Sequence, residues 1–188
     1  MLIIGITGTI GAGKGTIVEY LTEKNKFGHF SVRAYLIELI EARNMPVNRD
    51  SMVVIANELR AKFTPSYVTD QLYYKAKESG KNCVIESIRT PGEIDSLREK
   101  DNFVLFAIDA TPKKRYERIV KRNSETDNIS FDTFVENELR EMNSNDPNKQ
   151  NLRKCIVMAD YKFDNNGSIE ELYTQVGKVL DLIKNKTI

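Results

Sequence analysis

Short apolar runs alternate with longer amphipathic stretches along most of the chain. Five short runs predict strands, at residues 2–7, 29–32, 83–85, 103–108 and 159–163. The stretches between them repeat apolar residues at helical spacing. Strands that alternate with helices are typical of a parallel sheet covered by helical crossovers. The pattern therefore predicts an α/β fold built on a five-stranded parallel sheet.

Proline, glycine and capping residues indicate where the helices begin and end. Pro91 and Pro112 are predicted to open helices, Gly80 to follow the end of one, and Ser168 to cap the last. The predicted helices cover about 13–23, 34–43, 48–62, 65–79, 91–100, 112–122, 131–142 and 168–184. Residues 123–130 are polar and show no periodicity, which predicts a loop.

A glycine-rich segment joins the first predicted strand to the first predicted helix. It reads GTIGAGKGT, and Gly8, Gly13 and Lys14 satisfy the pattern G-x-x-x-x-G-K. Glycines let backbone N–H groups surround a polyphosphate, and a helix N-terminus adds favourable partial charge. Lys14 can then reach the β- and γ-phosphates. The predicted nucleotide-binding residues are Gly8, Gly11, Ala12, Gly13, Lys14, Gly15 and Thr16.

Size and charge narrow the possible functions. The chain has 188 residues, with 28 Lys and Arg against 27 Asp and Glu, so its net charge is +1. This balance does not favour a nucleic-acid or membrane surface, and no apolar run approaches the roughly 20 residues of a membrane span. The single His29 excludes a multi-histidine metal site, and Cys83 and Cys155 lack C-x-x-C spacing, which indicates reduced thiols. We expect one domain over residues 1–188, in the cytoplasm, as a monomer or small homo-oligomer.

Two charged residues follow the buried third strand. Glu86 ends the run NCVIES, and Arg89 lies three residues later. Ligands of open α/β sheets bind at the carboxyl ends of strands, so Glu86 should face the glycine-rich loop. There it could hold Mg²⁺ or accept a proton, and Arg89 could bind a phosphate through its planar fork. The alternatives are a solvent-facing carboxylate at a strand end and a surface arginine at a helix entry.

Arginines recur on the helix predicted after the fourth strand. Arg115, Arg118 and Arg122 are three and four residues apart and therefore share one helix face. Guanidinium groups can stabilise the charge of a phosphoryl group in transfer. Arg115 is the weakest of the three candidates, because it could instead pair with Glu117 or face solvent. The predicted catalytic residues are Lys14, Glu86, Arg118 and Arg122.

Several segments, in chain order, resemble the P-loop nucleoside and nucleotide kinase superfamily. GAGKGT is similar to the loop of adenylate kinases. Gly15 stands where the general pattern has a Mg²⁺-binding Ser or Thr. The candidate metal ligands are therefore Thr16 and Glu86. ESIRTPGEID resembles a segment of dephospho-CoA-kinase-like proteins and some deoxynucleotide kinases. RYERIVKRNSETD resembles the lid of monophosphate kinases, and the turn Asn165-Asn166-Gly167-Ser168 lies where related kinases place backbone against the adenine ring. The resemblance implies a three-layer P-loop NTPase fold, sheet order 2-3-1-4-5, an acceptor-binding region at about 33–80 and a small helical lid at about 115–145.

The resemblance also implies an enzyme that uses ATP and Mg²⁺ to phosphorylate a small phosphorylated acceptor. Arg33, Arg60 and Arg89 are the predicted acceptor-binding residues. A (deoxy)nucleoside monophosphate is favoured over dephospho-CoA as the acceptor. The segment from His29 departs from the H-x-S-x-G-D of adenylate kinases, with Arg33 and Ala34 at its last two positions, which argues against simple adenylate kinase activity. A nucleotide-hydrolysing regulatory ATPase and a pure binding module remain as alternatives.

Overall fold

A five-stranded parallel sheet organises the protein. The structure, a computed structural model, describes residues 1–100, 102–122 and 129–186. The strands are β1 (Ile3–Gly8), β2 (Gly28–Ser31), β3 (Cys83–Glu86), β4 (Phe103–Asp109) and β5 (Tyr161–Asp164). Every neighbouring pair is parallel and the order is β2-β3-β1-β4-β5, which confirms the predicted topology. The carboxyl ends of β1, β3 and β4 therefore meet at one edge of the sheet, where the glycine-rich loop begins.

Helices connect the strands as the alternation predicts. They are α1 (Lys14–Glu19), α2 (Val32–Ala42), α3 (Arg49–Lys62), α4 (Tyr67–Glu78), α5 (Pro91–Arg98), α6 (Pro112–Arg122), α7 (Phe131–Met142), α8 (Leu152–Met158) and α9 (Ile169–Lys186). The first helix continues beyond α1 as a π-helical segment, Tyr20–Lys24. The helix α8 was not predicted. Asn151 caps it by accepting a hydrogen bond from the backbone N–H of Lys154 at 3.1 Å.

The sheet is buried on both faces, which explains the nearly continuous apolar runs of its strands. Ile3 of β1 packs with α2, α3, α4 and α5, whereas Ile4 and Ile6 pack on the opposite face with α1 and α9. Cys83 and Cys155 are free and buried, one on β3 and the other on α8. Within the described ranges no helix is both long enough and apolar enough to cross a membrane.

Two reciprocal caps fix the helices that flank the sheet edge. Asn48 and Ser51 cap α3, and Thr90 and Glu93 cap α5, each pair exchanging side-chain and backbone hydrogen bonds. The Glu93 carboxylate accepts backbone N–H bonds from Arg89 at 2.7 Å and Thr90 at 3.0 Å. Because Glu93 is buried, this cap also fixes the backbone that carries Arg89.

The helices α6 and α7 pack against the glycine-rich loop. Ile119 of α6 and Phe134 of α7 form a small buried cluster with Ile10 of the loop. A movement of α6 or α7 would therefore also displace the residues of the loop that they contact. Residues 123–128, most of the loop predicted between the two helices, lie outside the described residues.

Candidate functional site

The loop between β1 and α1 has a backbone that requires glycine. Gly11 and Gly13 have φ angles of +74° and +106°, in the left-handed region that side chains with a Cβ rarely adopt. A Cβ on Gly11 would meet the backbone carbonyl of Arg115, and one on Gly13 would meet the side-chain amide of Asn165. The loop is thus held between α6 and the turn that follows β5, and its glycines are needed for space as well as for conformation.

A cleft of about 510 Å³ opens above this loop, a size typical of small-molecule sites. Its lining comes from the loop, the end of β3, α6 and the turn after β5, and includes Gly11, Gly13, Lys14, Gly15, Thr16, Glu86, Arg118, Arg122 and Asn165. The four predicted catalytic residues are therefore brought together. Gly8 is buried at the end of β1. Ala12 is a buried residue of the loop, and its carbonyl accepts a hydrogen bond from Asn165 Nδ2 at 2.8 Å.

Lys14 folds back over its own loop. Its Nζ donates hydrogen bonds to the carbonyl oxygens of Gly8 and Thr9, both at 2.9 Å. Burial, and next the nearby Arg89 charge, lower the pKa of Lys14 to about 7 against the opposing effect of Glu86. An ammonium group in this position lacks sufficient countercharge, which the phosphates of a nucleotide would supply.

Glu86 lies at the edge of the cleft and is ionised. Its carboxylate contacts His29 Nε2 at 2.9 Å, and its side chain is 20% exposed. Burial raises the pKa of Glu86, but the hydrogen bond to His29 and the charges of His29, Lys14 and Arg89 together bring it below its ordinary value. The carboxylate is available to a cation or a proton in the cleft, and it does not simply point to solvent.

The arginines of α6 have different surroundings. Arg118 lines the cleft and donates from Nη2 to the carbonyl oxygen of Asn165 at 2.7 Å. Arg122 lines the same cleft and is exposed. Arg115 is buried and forms a two-bond ion pair with Glu138 of α7, at 2.6 and 2.8 Å, and so does not pair with Glu117. Arg118 and Arg122 therefore face the cleft, whereas Arg115 joins the two helices.

A second, smaller pocket of about 100 Å³ lies among α2, α3 and the segment after β3. Its apolar lining residues are Val32, Leu36, Met52, Val53 and Ala56, and its charged and amide lining residues are Arg33, Arg49, Arg60, Arg89, Glu141 and Gln150. The three predicted acceptor-binding arginines are thus in one pocket. Glu86 lines the nucleotide cleft and the next residue, Ser87, lines this pocket, so the two adjoin. The charges of Arg89, Arg49 and Glu141 also act on the pKa of Lys14.

The three predicted acceptor arginines differ in their exposure and in their hydrogen-bond partners. Arg33 is exposed on α2. Arg89 donates from Nη1 to Glu141 at 2.8 Å and to Gln150 at 2.7 Å. Arg60 is only 3% exposed and is paired with Glu93 at 3.1 Å. Arg60 therefore has a structural partner in addition to its place in the pocket wall.

Comparison with known proteins identifies the family. A family model described as an AAA domain matches residues 4–155, a range that contains the glycine-rich loop, Glu86 and Arg89. The chain belongs to this AAA domain family. It also belongs with the UPF0200 proteins: that of Methanococcus maripaludis strain C6 is 31% identical over 195 residues, covering 97% of this chain and 100% of the relative. The UPF0200 protein of Methanocaldococcus jannaschii is 29% identical over 188 residues, covering 98% of this chain and 92% of the relative.

Solved structures show the same fold as this AAA domain. A gluconokinase from Sinorhizobium meliloti superposes with a TM-score of 0.60 at 13% identity, covering 99% of this chain and 95% of that one. A shikimate kinase from Bacteroides thetaiotaomicron superposes with a TM-score of 0.59 at 15% identity, covering 96% and 98%. The AAA domain thus has the fold of small P-loop kinases, as the sequence resemblance implied, and its P-loop indicates nucleotide binding.

Three charged or amide residues of the second pocket were not predicted. Arg49 begins α3 directly after the Asn48 cap, Glu141 lies at the end of α7, and Gln150 precedes α8. The helix predicted from about residue 48 could have placed Arg49 on a first helical turn beside the acceptor region. Nothing local could have paired it with Glu141, because the two are far apart in sequence.

Nucleotide binding by this AAA domain is expected to take up close to one proton at pH 8. The ligand-free pKa of Lys14 is about 7, so the amine is mostly neutral at pH 8, and bound phosphates raise its pKa and recharge it. Calorimetric titration with ADP in buffers of different ionisation enthalpy measures the uptake. Lys14→Arg is the control, since guanidinium stays charged at this pH. Equal uptake by that variant would assign the proton to another group.

Proposed function

We propose that this chain is an ATP-dependent phosphotransferase that moves the γ-phosphate to a (deoxy)nucleoside monophosphate. The observation that supports this function most strongly is the adjacency of two cationic pockets. The larger contains the P-loop and the α6 arginines, and the smaller contains arginines and apolar side chains. Lys14 and Glu86 line the larger pocket, and the charge of Arg89 in the smaller pocket acts on the pKa values of both. A site of this form suits transfer between two phosphorylated molecules.

In the proposed reaction the protein positions two phosphates and stabilises charge. An oxygen of the acceptor phosphate forms a bond to the γ-phosphorus, while the bond from that phosphorus to the β–γ bridging oxygen breaks and ADP leaves with its electron pair. Because the attacking oxygen belongs to a phosphate, no proton has to be removed from it. Lys14, Arg118 and Arg122 would neutralise charge on the transferring group, and Arg89 would hold the acceptor phosphate.

Thr16 and Glu86 fit a Mg²⁺ ion accompanying the phosphates. Both line the nucleotide cleft, and Glu86 is ionised. The described part of the chain holds no cluster of three or more His, Cys, Asp or Glu side chains suited to a metal ion. Mg²⁺ in phosphoryl-transfer sites, however, typically uses one or two protein oxygens together with phosphate and water. When bound, it would offset negative charge on the phosphates.

The proposed organisation is a single domain with two specialised regions. Residues at about 33–80 would bind the acceptor, and residues at about 115–145 would form the lid. The contact of Ile119 and Phe134 with Ile10 supports a lid that is coupled to the P-loop. Closure of such a lid would exclude water, which otherwise accepts the phosphoryl group in place of the acceptor.

A phosphotransfer screen tests this function. Purified protein is incubated with ATP, Mg²⁺ and each member of a panel of nucleoside and deoxynucleoside monophosphates and dephospho-CoA, and the products are measured by mass spectrometry. We expect ADP and a nucleoside diphosphate to form together, and only when a monophosphate is present. Phosphorylated CoA would instead assign dephospho-CoA as the acceptor. ADP formation at the same rate without any acceptor would indicate a regulatory ATPase, and the absence of all turnover would indicate a binding module.

A further inference from the structure

Glu141 joins two arginines that come from separate parts of the chain. Its Oε1 accepts a hydrogen bond from Arg49 Nη2 at 2.5 Å, and its Oε2 accepts one from Arg89 Nη1 at 2.8 Å. Glu141 is only 3% exposed. Burial raises the pKa of Glu141, but the charges of Arg89 and Arg49 outweigh burial and lower it, so that the carboxylate is ionised. One buried carboxylate thus holds two guanidinium groups on the wall of the second pocket.

These contacts leave donor capacity on the arginines of the pocket. Each guanidinium carries five N–H groups, and Glu141 accepts from one nitrogen of Arg49 and one of Arg89. Arg49 Nε and Arg60 Nε are buried and have no hydrogen-bond partner among the residues that the structure describes. Buried donors without partners are rare and energetically costly. Two of them among the residues that line one pocket indicate a ligand that brings oxygen atoms.

The charges of the pocket indicate which kind of anion fits. Arg60 is neutralised by Glu93. Arg33, Arg49 and Arg89 share the pocket with the single carboxylate of Glu141, which leaves two positive charges unmatched. A phosphate monoester carries close to two negative charges near neutral pH, whereas a carboxylate carries one. The apolar side chains that α2 and α3 also contribute to the pocket suit a flat or apolar body attached to that phosphate.

We infer that Glu141 is a positioning residue that holds Arg49 and Arg89 as a pair for the phosphate of an acceptor with a flat or apolar body. This inference rests on the proposed function, because it concerns the acceptor side of that site. It adds the end of α7 to the acceptor site, which the sequence had placed only in residues 33–80 and at Arg89. Without the Glu141 charge, the two guanidinium groups would repel each other and separate.

Binding of matched probes tests this inference without turnover. The protein is saturated with ADP and Mg²⁺ to fill the P-loop, and then titrated with phenyl phosphate or with benzoate, which share a ring but differ in anion. We expect wild-type protein to bind phenyl phosphate about tenfold more tightly than benzoate or better. Glu141→Gln should weaken phenyl phosphate binding by about tenfold and reduce this preference, while changing ADP affinity far less.

Two further variants keep the test decisive. Glu58→Gln removes an exposed carboxylate of α3 that pairs with Arg43 and should leave both titrations unchanged. Arg49→Gln leaves Glu141 paired with Arg89, so it should fold even if Glu141→Gln does not, and it should also weaken phenyl phosphate binding.

The outcomes separate the inference from the proposed function. Unchanged or tighter phenyl phosphate binding in Glu141→Gln and Arg49→Gln would overturn the positioning role, as would a wild-type protein that does not prefer phenyl phosphate to benzoate. If wild-type protein fails to bind ADP, the proposed kinase function fails. The phenyl phosphate titrations then still decide the role of Glu141. They can be repeated without nucleotide in Lys14→Met protein, in which the empty P-loop lacks its lysine and competes less for the phosphate of the probe.

Discussion

Replacing Lys14 with methionine is expected to lower the rate of phosphotransfer by at least about a hundredfold while leaving the protein folded. The Lys14 ammonium is the cation of the P-loop itself, and Arg118 and Arg122 reach the cleft from another helix. Its loss therefore removes stabilisation that no neighbouring backbone group replaces. The rate is measured by coupled detection of ADP with the acceptor that the screen identifies, and folding is measured by circular dichroism.

The thermal stability of the Lys14→Met protein separates a chemical role from a structural one. Burial disfavours the charged form of Lys14, which offsets the loss of its two hydrogen bonds to the Gly8 and Thr9 carbonyls, so methionine at this position should change the melting temperature little at neutral pH. Lys24→Met, which changes an exposed lysine of the same helical segment, should leave both the rate and the melting temperature unchanged. Wild-type turnover by Lys14→Met would exclude the P-loop from the mechanism.

Local sequence patterns were sufficient for most of the fold. Strands buried on both faces produce the short apolar runs, and the starts of α3 and α5 were predicted because the signals for a helix start lie within three or four residues of it. The strand order came from the family resemblance, since alternation alone does not fix which strands are neighbours. Helix α8 was missed because only Leu152 and Cys155 of its seven residues are buried, which is too short a pattern to show periodicity.

The candidate site was predictable only where its residues are close in sequence. The loop at Gly11 to Thr16 follows from glycine conformations and the adjacent helix, and Glu86 and Arg89 follow from their place at a strand end. Ion pairs between distant elements leave no such pattern. Glu141 bonds to Arg49 across 92 positions, and Arg115 bonds to Glu138 across 23. Sequence reasoning could identify these charged residues individually, but only the packed structure shows their partners.

Arg60 illustrates how a residue in a site can also support the fold. The sequence predicted a contact with the acceptor phosphate, and Arg60 does line the second pocket. It also bonds to Glu93 at 3.1 Å, with the two side chains 2% and 1% exposed. Glu93 in turn caps α5 and holds the backbone of Arg89. Breaking a buried ion pair from one side leaves the other charge without compensation.

Arg60→Met is therefore expected to lower the free energy of unfolding by about 3–5 kcal/mol, measured by urea denaturation. Arg60→Met/Glu93→Gln should recover a large part of this loss, because no charge is then buried alone and the glutamine oxygen can still accept the backbone bonds of α5. Arg43→Met, which breaks the exposed pair with Glu58, is the matched control and should cost far less. If Arg60→Met costs no more than this control, the pair does not support the fold, and the role of Arg60 would be confined to the acceptor pocket.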